Sequence, residues 1–188
     1  MEENLKDTEK KESFLKETVR FAIITLAIVL PIRLFIAEPF IVSGASMEPT
    51  FDNSDYLIVD RISYRFENPQ RGDVIVFRYP KDTTKYFIKR IIGLPGDTVK
   101  ISGDKIMIKN KENPEGFVLD QKFILFQKSE EFTSTLDDKE YFVMGDNRPR
   151  SSDSRAWGSL PEKNIVGRAV LRLFPIDKIG ILPGKISE

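Results

Sequence analysis

The chain contains no cysteine and no histidine in its 188 residues. Without cysteine, disulfides, thiol nucleophiles and thiolate metal sites are excluded. Without histidine, a Ser-His-Asp triad is impossible, and a zinc hydrolase would need an all-oxygen ligand set. Proton transfer near neutral pH then falls to carboxylates with raised pKa or to lysines with lowered pKa. Net charge is lacking as well: 29 basic side chains balance 29 acidic ones, leaving no overall field to attract nucleic acid. Apolar residues at 40% and charged residues at 31% give a globular balance, and the length suits one core plus an anchoring segment.

Long apolar runs are scarce, and the longest one stands near the amino terminus. Residues 1–20 are a polar tail in which Lys6, Lys10, Lys11, Lys16 and Arg20 alternate with six acids. Residues 21–32 are uncharged and apolar apart from Thr25, and after Arg33 the run resumes to Ala37. A membrane-spanning helix takes about 20 apolar residues, so this segment is short. Its one charge lies near the far end, where a long side chain snorkels to the headgroups, and Pro31 kinks a membrane helix without forbidding it. Five Lys and Arg precede the run, whereas beyond Arg33 the next is Arg61. The charge rule therefore leaves residues 1–20 as a cytoplasmic tail, 21–37 as a single transmembrane anchor and 38–188 on the extracytoplasmic face. A cleaved signal sequence fits less well, because the leader is long and polar and no small-x-small site precedes Glu38.

Beyond Pro39 the pattern turns to strands. Residues 56–59, 73–78, 86–92, 98–101, 105–108, 140–144 and 165–173 are short β-rich runs, separated by turn signals such as Leu94-Pro95-Gly96-Asp97 and Ser102-Gly103-Asp104. Such spacing predicts a mainly β fold, a sheet sandwich or a barrel. Residues 111–138 are less regular and are expected to form an insertion or long hairpin on that core.

Three stretches carry chemistry. Ser46 lies in Ser43-Gly44-Ala45-Ser46-Met47-Glu48-Pro49-Thr50, where a serine is either a turn residue or a nucleophile. On a strand through residues 86–90, Lys89 shares a face with Phe87 and Ile91. Apolar neighbours lower an amine's pKa, the condition for accepting a proton from a serine hydroxyl. The alternative for Lys89 is an edge-strand lysine that reaches solvent. Arg90 points the other way, free to hold a carboxylate. The third stretch runs from Gly145 through Asp146-Asn147-Arg148 to Ser151-Ser152-Asp153-Ser154-Arg155. Its interleaved arginines favour ion pairs with the aspartates over a metal site.

Taken in order, Gly44-Ala45-Ser46-Met47-Glu48-Pro49-Thr50, Gly72-Asp73-Val74-Ile75-Val76-Phe77, Lys89-Arg90-Ile91-Ile92-Gly93-Leu94-Pro95-Gly96-Asp97 and Gly145-Asp146-Asn147-Arg148 through Ser151, Asp153-Ser154-Arg155 and Trp157-Gly158 resemble the signature boxes of type I signal peptidases. The match runs from the apolar segment to about Gly167. The resemblance implies two antiparallel β-sheets behind one transmembrane helix, and a membrane-bound serine endopeptidase of the plasma membrane. Such an enzyme cleaves signal peptides from exported preproteins with a Ser/Lys dyad and needs no cofactor and no metal. It implies Ser46 as nucleophile, Lys89 as general base, and Ser151 as the hydroxyl that orients the lysine. Asp146 with Arg90, and Asp153 with Arg155, would be the bracing ion pairs. Val42, Met47, Phe51, Phe87 and Ile88 would line pockets for small residues at substrate positions −1 and −3. Some members place a serine of the oxyanion hole two residues before the nucleophile. This chain has Gly44 there, which leaves the Ser46 backbone N–H, with Ser43 as a possible helper. Two alternatives stand beside it: a self-cleaving SOS-type repressor, which would need a DNA-binding domain where the apolar run stands, and a non-enzymatic anchored β domain.

Overall fold

The computed structural model describes residues 2–31, 36–121 and 124–184, and in its first helix it describes the side chains of residues 14 and 16–30. The chain divides into two units, residues 1–37 and 38–188. The first is the helix α1 (Glu2–Pro31), which joins the polar tail to the start of the apolar run. Its apolar side chains, among them Phe21, Ile23, Leu26, Ile28 and Val29, are exposed. Among the described residues no helix is long and apolar enough to cross a membrane. The expected anchor at 21–37 falls partly on residues 32–35, outside the described residues, and Ala37 already opens the first strand.

The second unit is built of antiparallel strands. The larger sheet runs in the order β1 (Ala37–Ile41), β2 (Tyr56–Asp60), β11 (Ile165–Phe174), β3 (Val74–Tyr79), β4 (Asp82–Gly93), β9 (Glu140–Met144) and β10 (Leu160–Pro161), with β12 (Gly180–Ile181) also on β11. The smaller sheet runs β7 (Phe117–Val118), β6 (Lys105–Lys109), β5 (Thr98–Gly103) and β8 (Glu130–Thr135). Each strand expected from the pattern is present within a few residues. The stretch 111–138, expected as an insertion or long hairpin on the core, supplies both edges of the smaller sheet, with β7 paired to β6 and β8 to β5.

Alternation along the central strands explains the core. In β3 all of Val74, Ile75, Val76 and Phe77 are buried, because the sheet is covered on both faces. Val74 packs with Val42, Met47, Phe51, Leu57 and Ala169 on one face. Ile75 and Phe77 pack with Ile91, Tyr141, Val143 and Leu160 on the other. The next residues along the same strands, Ile92, Phe142 and Met144, join Val99, Ile101, Ile106, Ile108 and Leu136, so a shared apolar cluster fastens the two sheets together. Trp157, in the short helix α2 (Ser154–Trp157), lies 5.8 Å from both the Phe77 and the Tyr79 ring centroids.

Strand β11 slips register between Ile165 and Gly167. There a Cβ added to Gly167 would come within 2.0 Å of the Asp60 carbonyl oxygen, a backbone atom that cannot swing aside. Gly167→Ala should therefore cost about 2 kcal/mol or more by forcing β2 and β11 apart. Urea unfolding followed by far-ultraviolet circular dichroism measures it, and an unchanged midpoint would show that the strands can separate freely.

Candidate active site

Strand order brings the chemically able residues together. β9 pairs with β4 only from Arg90 to Gly93, where Arg90 faces Met144. Residues 86–89 therefore lack a strand on that side, and the chain leaving Met144 emerges beside Lys89 and Arg90. Opposite this free edge stands the segment after β1, closed by reciprocal backbone hydrogen bonds: Val42 N–H to Asp55 O, and Ser54 N–H to Val42 O. Between the two lies an open cleft of about 490 Å³, lined by Ile41, Val42, Ser43, Gly44 and Ser46 on one wall and by Tyr86, Phe87, Ile88 and Lys89 on the other.

Lys89 Nζ is 2.6 Å from Ser46 Oγ and 2.8 Å from the Ile88 carbonyl oxygen, to which it donates. Its side chain is 4% exposed. Burial brings the amine down to about 8 from an ordinary 10.5, against the opposing pull of the Asp153 and Asp146 charges. A neutral amine at this distance can accept the serine's proton, whereas a protonated one donates to the oxygen instead.

Arg90 and Asp146, 1% and 0% exposed, form a forked pair beneath the lysine: Nε donates to Oδ1 at 2.8 Å and Nη2 to Oδ2. Arg90 Nη1 donates to the carbonyls of Gly72 and Gly184. Thr50 Oγ1 donates to Asp146 Oδ2 at 2.6 Å, tying the serine segment to the same carboxylate. Asp153 accepts from the Gly145 N–H at 3.1 Å and from Arg155 Nε at 2.7 Å. Burial pushes the Asp153 carboxyl up, but the bonds and charge of Arg155 win and hold it below its usual range. Arg155 also pairs with Glu130 of β8, which bolts this loop to the smaller sheet.

The remaining expected residues fall less simply. Ser151 Oγ is buried and makes no hydrogen bond to the Lys89 amine, whose partners are Ser46 and Ile88; the Ser151 hydroxyl lies near Asp153 and helps to lower that carboxyl's pKa. It packs beside Gly145, where an added Cβ would meet both Ser151 Oγ and the Ser46 carbonyl oxygen at 2.3 Å. Met47 and Phe51 do not line the cleft. They are 1% and 0% exposed and form its foundation, on which Ile88 rests. Val42, Phe87, Ile88 and Ser43 do line it. Gly44 has φ +93°, a conformation that strains any residue with a Cβ, and donates its N–H to Asn53 Oδ1 at 2.9 Å. Sequence reasoning missed Thr50, Glu130 and the Asn147 N–H, which donates to the Ser46 carbonyl at 3.0 Å. It also missed Arg150 and Ser152 on the cleft wall. Among the described residues no cluster of acids could hold a metal ion.

A serine hydroxyl against a buried amine, at the rim of an open cleft beside a free strand edge, has the makings of a histidine-free serine hydrolase. Comparison with known proteins agrees. Residues 15–174 match the family model described as signal peptidase, peptidase S26. The chain is 38% identical to a probable signal peptidase I-1 of Synechocystis over 90% of its length and 87% of the relative's. It is also 38% identical to a signal peptidase I of Leptolyngbya laminosa, over 92% and 86% of the two lengths. A solved signal peptidase I from Enterococcus faecalis aligns at 32% identity and a TM-score of 0.48, over 55% of this chain and 98% of that one. The chain belongs to the signal peptidase family, and with it to the serine endopeptidases that cleave signal peptides. The self-cleaving-repressor alternative falls with that assignment.

Gly145→Ala tests whether the Gly145 contact sets the serine's position. The added methyl should displace the Ser46 backbone and lower kcat about a hundredfold in a variant that still folds. Turnover of a signal-peptide substrate, read beside circular dichroism, measures this. Normal turnover by the folded variant would mean that the loop yields without moving Ser46.

Proposed function

We propose that this chain removes signal peptides with Ser46 as nucleophile and Lys89 as general base, held at a membrane by its apolar run. The observation that carries the reading is the 2.6 Å contact between Ser46 Oγ and the buried Lys89 amine. Neutral Lys89 takes the hydroxyl proton as Ser46 Oγ attacks the carbonyl after the last signal-peptide residue. The amine's proton passes to the leaving nitrogen, the mature protein departs and an ester remains on Ser46. Lys89 then deprotonates water for attack on that ester, and Ser46 is regenerated. The Ser46 backbone N–H, with Ser43 near the same wall, receives the developing oxyanion. Ser151, buried beside Gly145, would orient the amine once Ser46 turns to substrate.

The substrate lies extended in the cleft, where the free edge at residues 86–89 offers main-chain groups. Val42, Phe87 and Ile88 leave shallow apolar space suited to small side chains at −1 and −3. The apolar run that begins at Phe21 and ends before β1 serves as the single span, with residues 1–20 cytoplasmic and the β domain extracytoplasmic. The all-round exposure of the apolar side chains from Phe21 to Leu30 supports this placement.

Because the base must be neutral, kcat/KM should climb about tenfold per pH unit below the Lys89 value of about 8 and level off above it. A flat or falling profile from neutral to mildly alkaline pH would argue against a lysine base. Ser46→Ala and Lys89→Arg should each lower cleavage of a preprotein by on the order of a thousandfold, since arginine keeps the charge and cannot act as a base. Near-normal cleavage by Lys89→Arg would sink the dyad.

A further inference from the structure

On the far side of Tyr86 from the substrate cleft lies a second, polar cleft of about 410 Å³. Arg61, Arg65, Arg78 and Lys163 line it, and Glu38 is the single acid among its lining residues. These side chains come from different elements: Arg61 and Arg65 follow β2, Arg78 lies on β3, and Lys163 stands in the turn before β11. The Arg78 guanidinium sits 5.2 Å from the Tyr86 ring centroid and donates through Nη1 to the Thr83 carbonyl at 3.3 Å, which together orient it. Arg61 meets Glu38 at 3.2 Å. Arg65 and Lys163 have no ion-pair partner among the described residues. In a chain of zero net charge, this is a local concentration of like charge that the fold itself does not neutralise.

We propose that this cleft binds a phosphate group. A carboxylate is planar and engages one or two donors, whereas a tetrahedral phosphate offers oxygens in several directions, as cations converging from separate elements require. The size suits a headgroup better than a macromolecule. Glu38 follows the apolar run directly in sequence, so in an anchored protein the nearest abundant phosphates are those of the bilayer's lipids; this source rests on the anchored reading, while the phosphate chemistry does not. A headgroup held there would fix the wall that carries Tyr86 and thereby register the substrate cleft against the lipid surface from which a signal peptide emerges.

The test uses the full chain in phosphate-free nonionic detergent, titrated against inorganic phosphate and, separately, glycerophosphoglycerol, the deacylated lipid headgroup, with phosphorus NMR linewidths as readout. Arg65→Gln combined with Lys163→Gln, both exposed positions, should weaken binding about tenfold. Lys105→Gln with Lys111→Gln, an equal charge change on β6 and the turn after it, should leave it unchanged. Tighter binding of the diester marks a lipid site, and tighter binding of inorganic phosphate marks a site for the free ion. Absence of saturable binding, or equal losses in the two double variants, would overturn the proposal. Preprotein cleavage is measured in the same samples, so failure of the protease reading registers separately from failure of the phosphate site.

Discussion

The buried pair of Arg90 and Asp146 is the constraint on which the site depends. Two opposite charges without access to water are tolerable only when each is fully hydrogen-bonded, and removal of one partner typically costs about 3–5 kcal/mol. Here the requirement is met by distant parts of the chain: Thr50 completes the carboxylate, while Gly72 and Gly184 complete the guanidinium. Satisfying one ion pair thus gathers the serine segment, the start of β3, the middle of β4, the loop after β9 and the carboxy-terminal region at a single point. Lys89 and Ser46 are neighbours of residues so fixed, Lys89 by one position and Ser46 by four.

The same logic separates two aspartates that look alike in sequence. Asp146 serves Arg90 and the serine segment. Asp153 serves Arg155 and the Gly145 N–H, and Arg155 reaches Glu130 on the smaller sheet. Both carboxylates raise the lysine's affinity for its proton, yet burial outweighs them and leaves the amine near 8. The site therefore combines opposed demands: enough negative charge to hold its arginines, and enough apolar enclosure to keep its base from remaining an ammonium.

Much of this was legible in the residues. The runs at 74–77 and 140–144 are dense in β-branched and aromatic side chains and could only be strands; the ordered motifs pointed to Ser46, Lys89, Arg90, Asp146, Asp153 and Arg155, and the fold brings them together. The rest was hidden for identifiable reasons. β8, Glu130-Glu131-Phe132-Thr133-Ser134-Thr135, is a half-exposed edge with one large apolar residue, so its period-two signal is faint. The resemblance implied a pocket role for Met47 and Phe51, but the segment turns inward after Ser46 and commits them to the core. Thr50 and Glu130 earn their parts through partners 96 and 25 residues away, and no local spacing announces such a contact.

Trp157 is the chain's single tryptophan. It sits two residues past Arg155, with its ring against Phe77 and Tyr79 and its indole nitrogen buried. Nature has thereby placed one optical probe at the back of the loop that braces the active site. Tryptophan emission from this protein, excited selectively over its tyrosines, is a signal from one place, and it reads the integrity of that brace without any label.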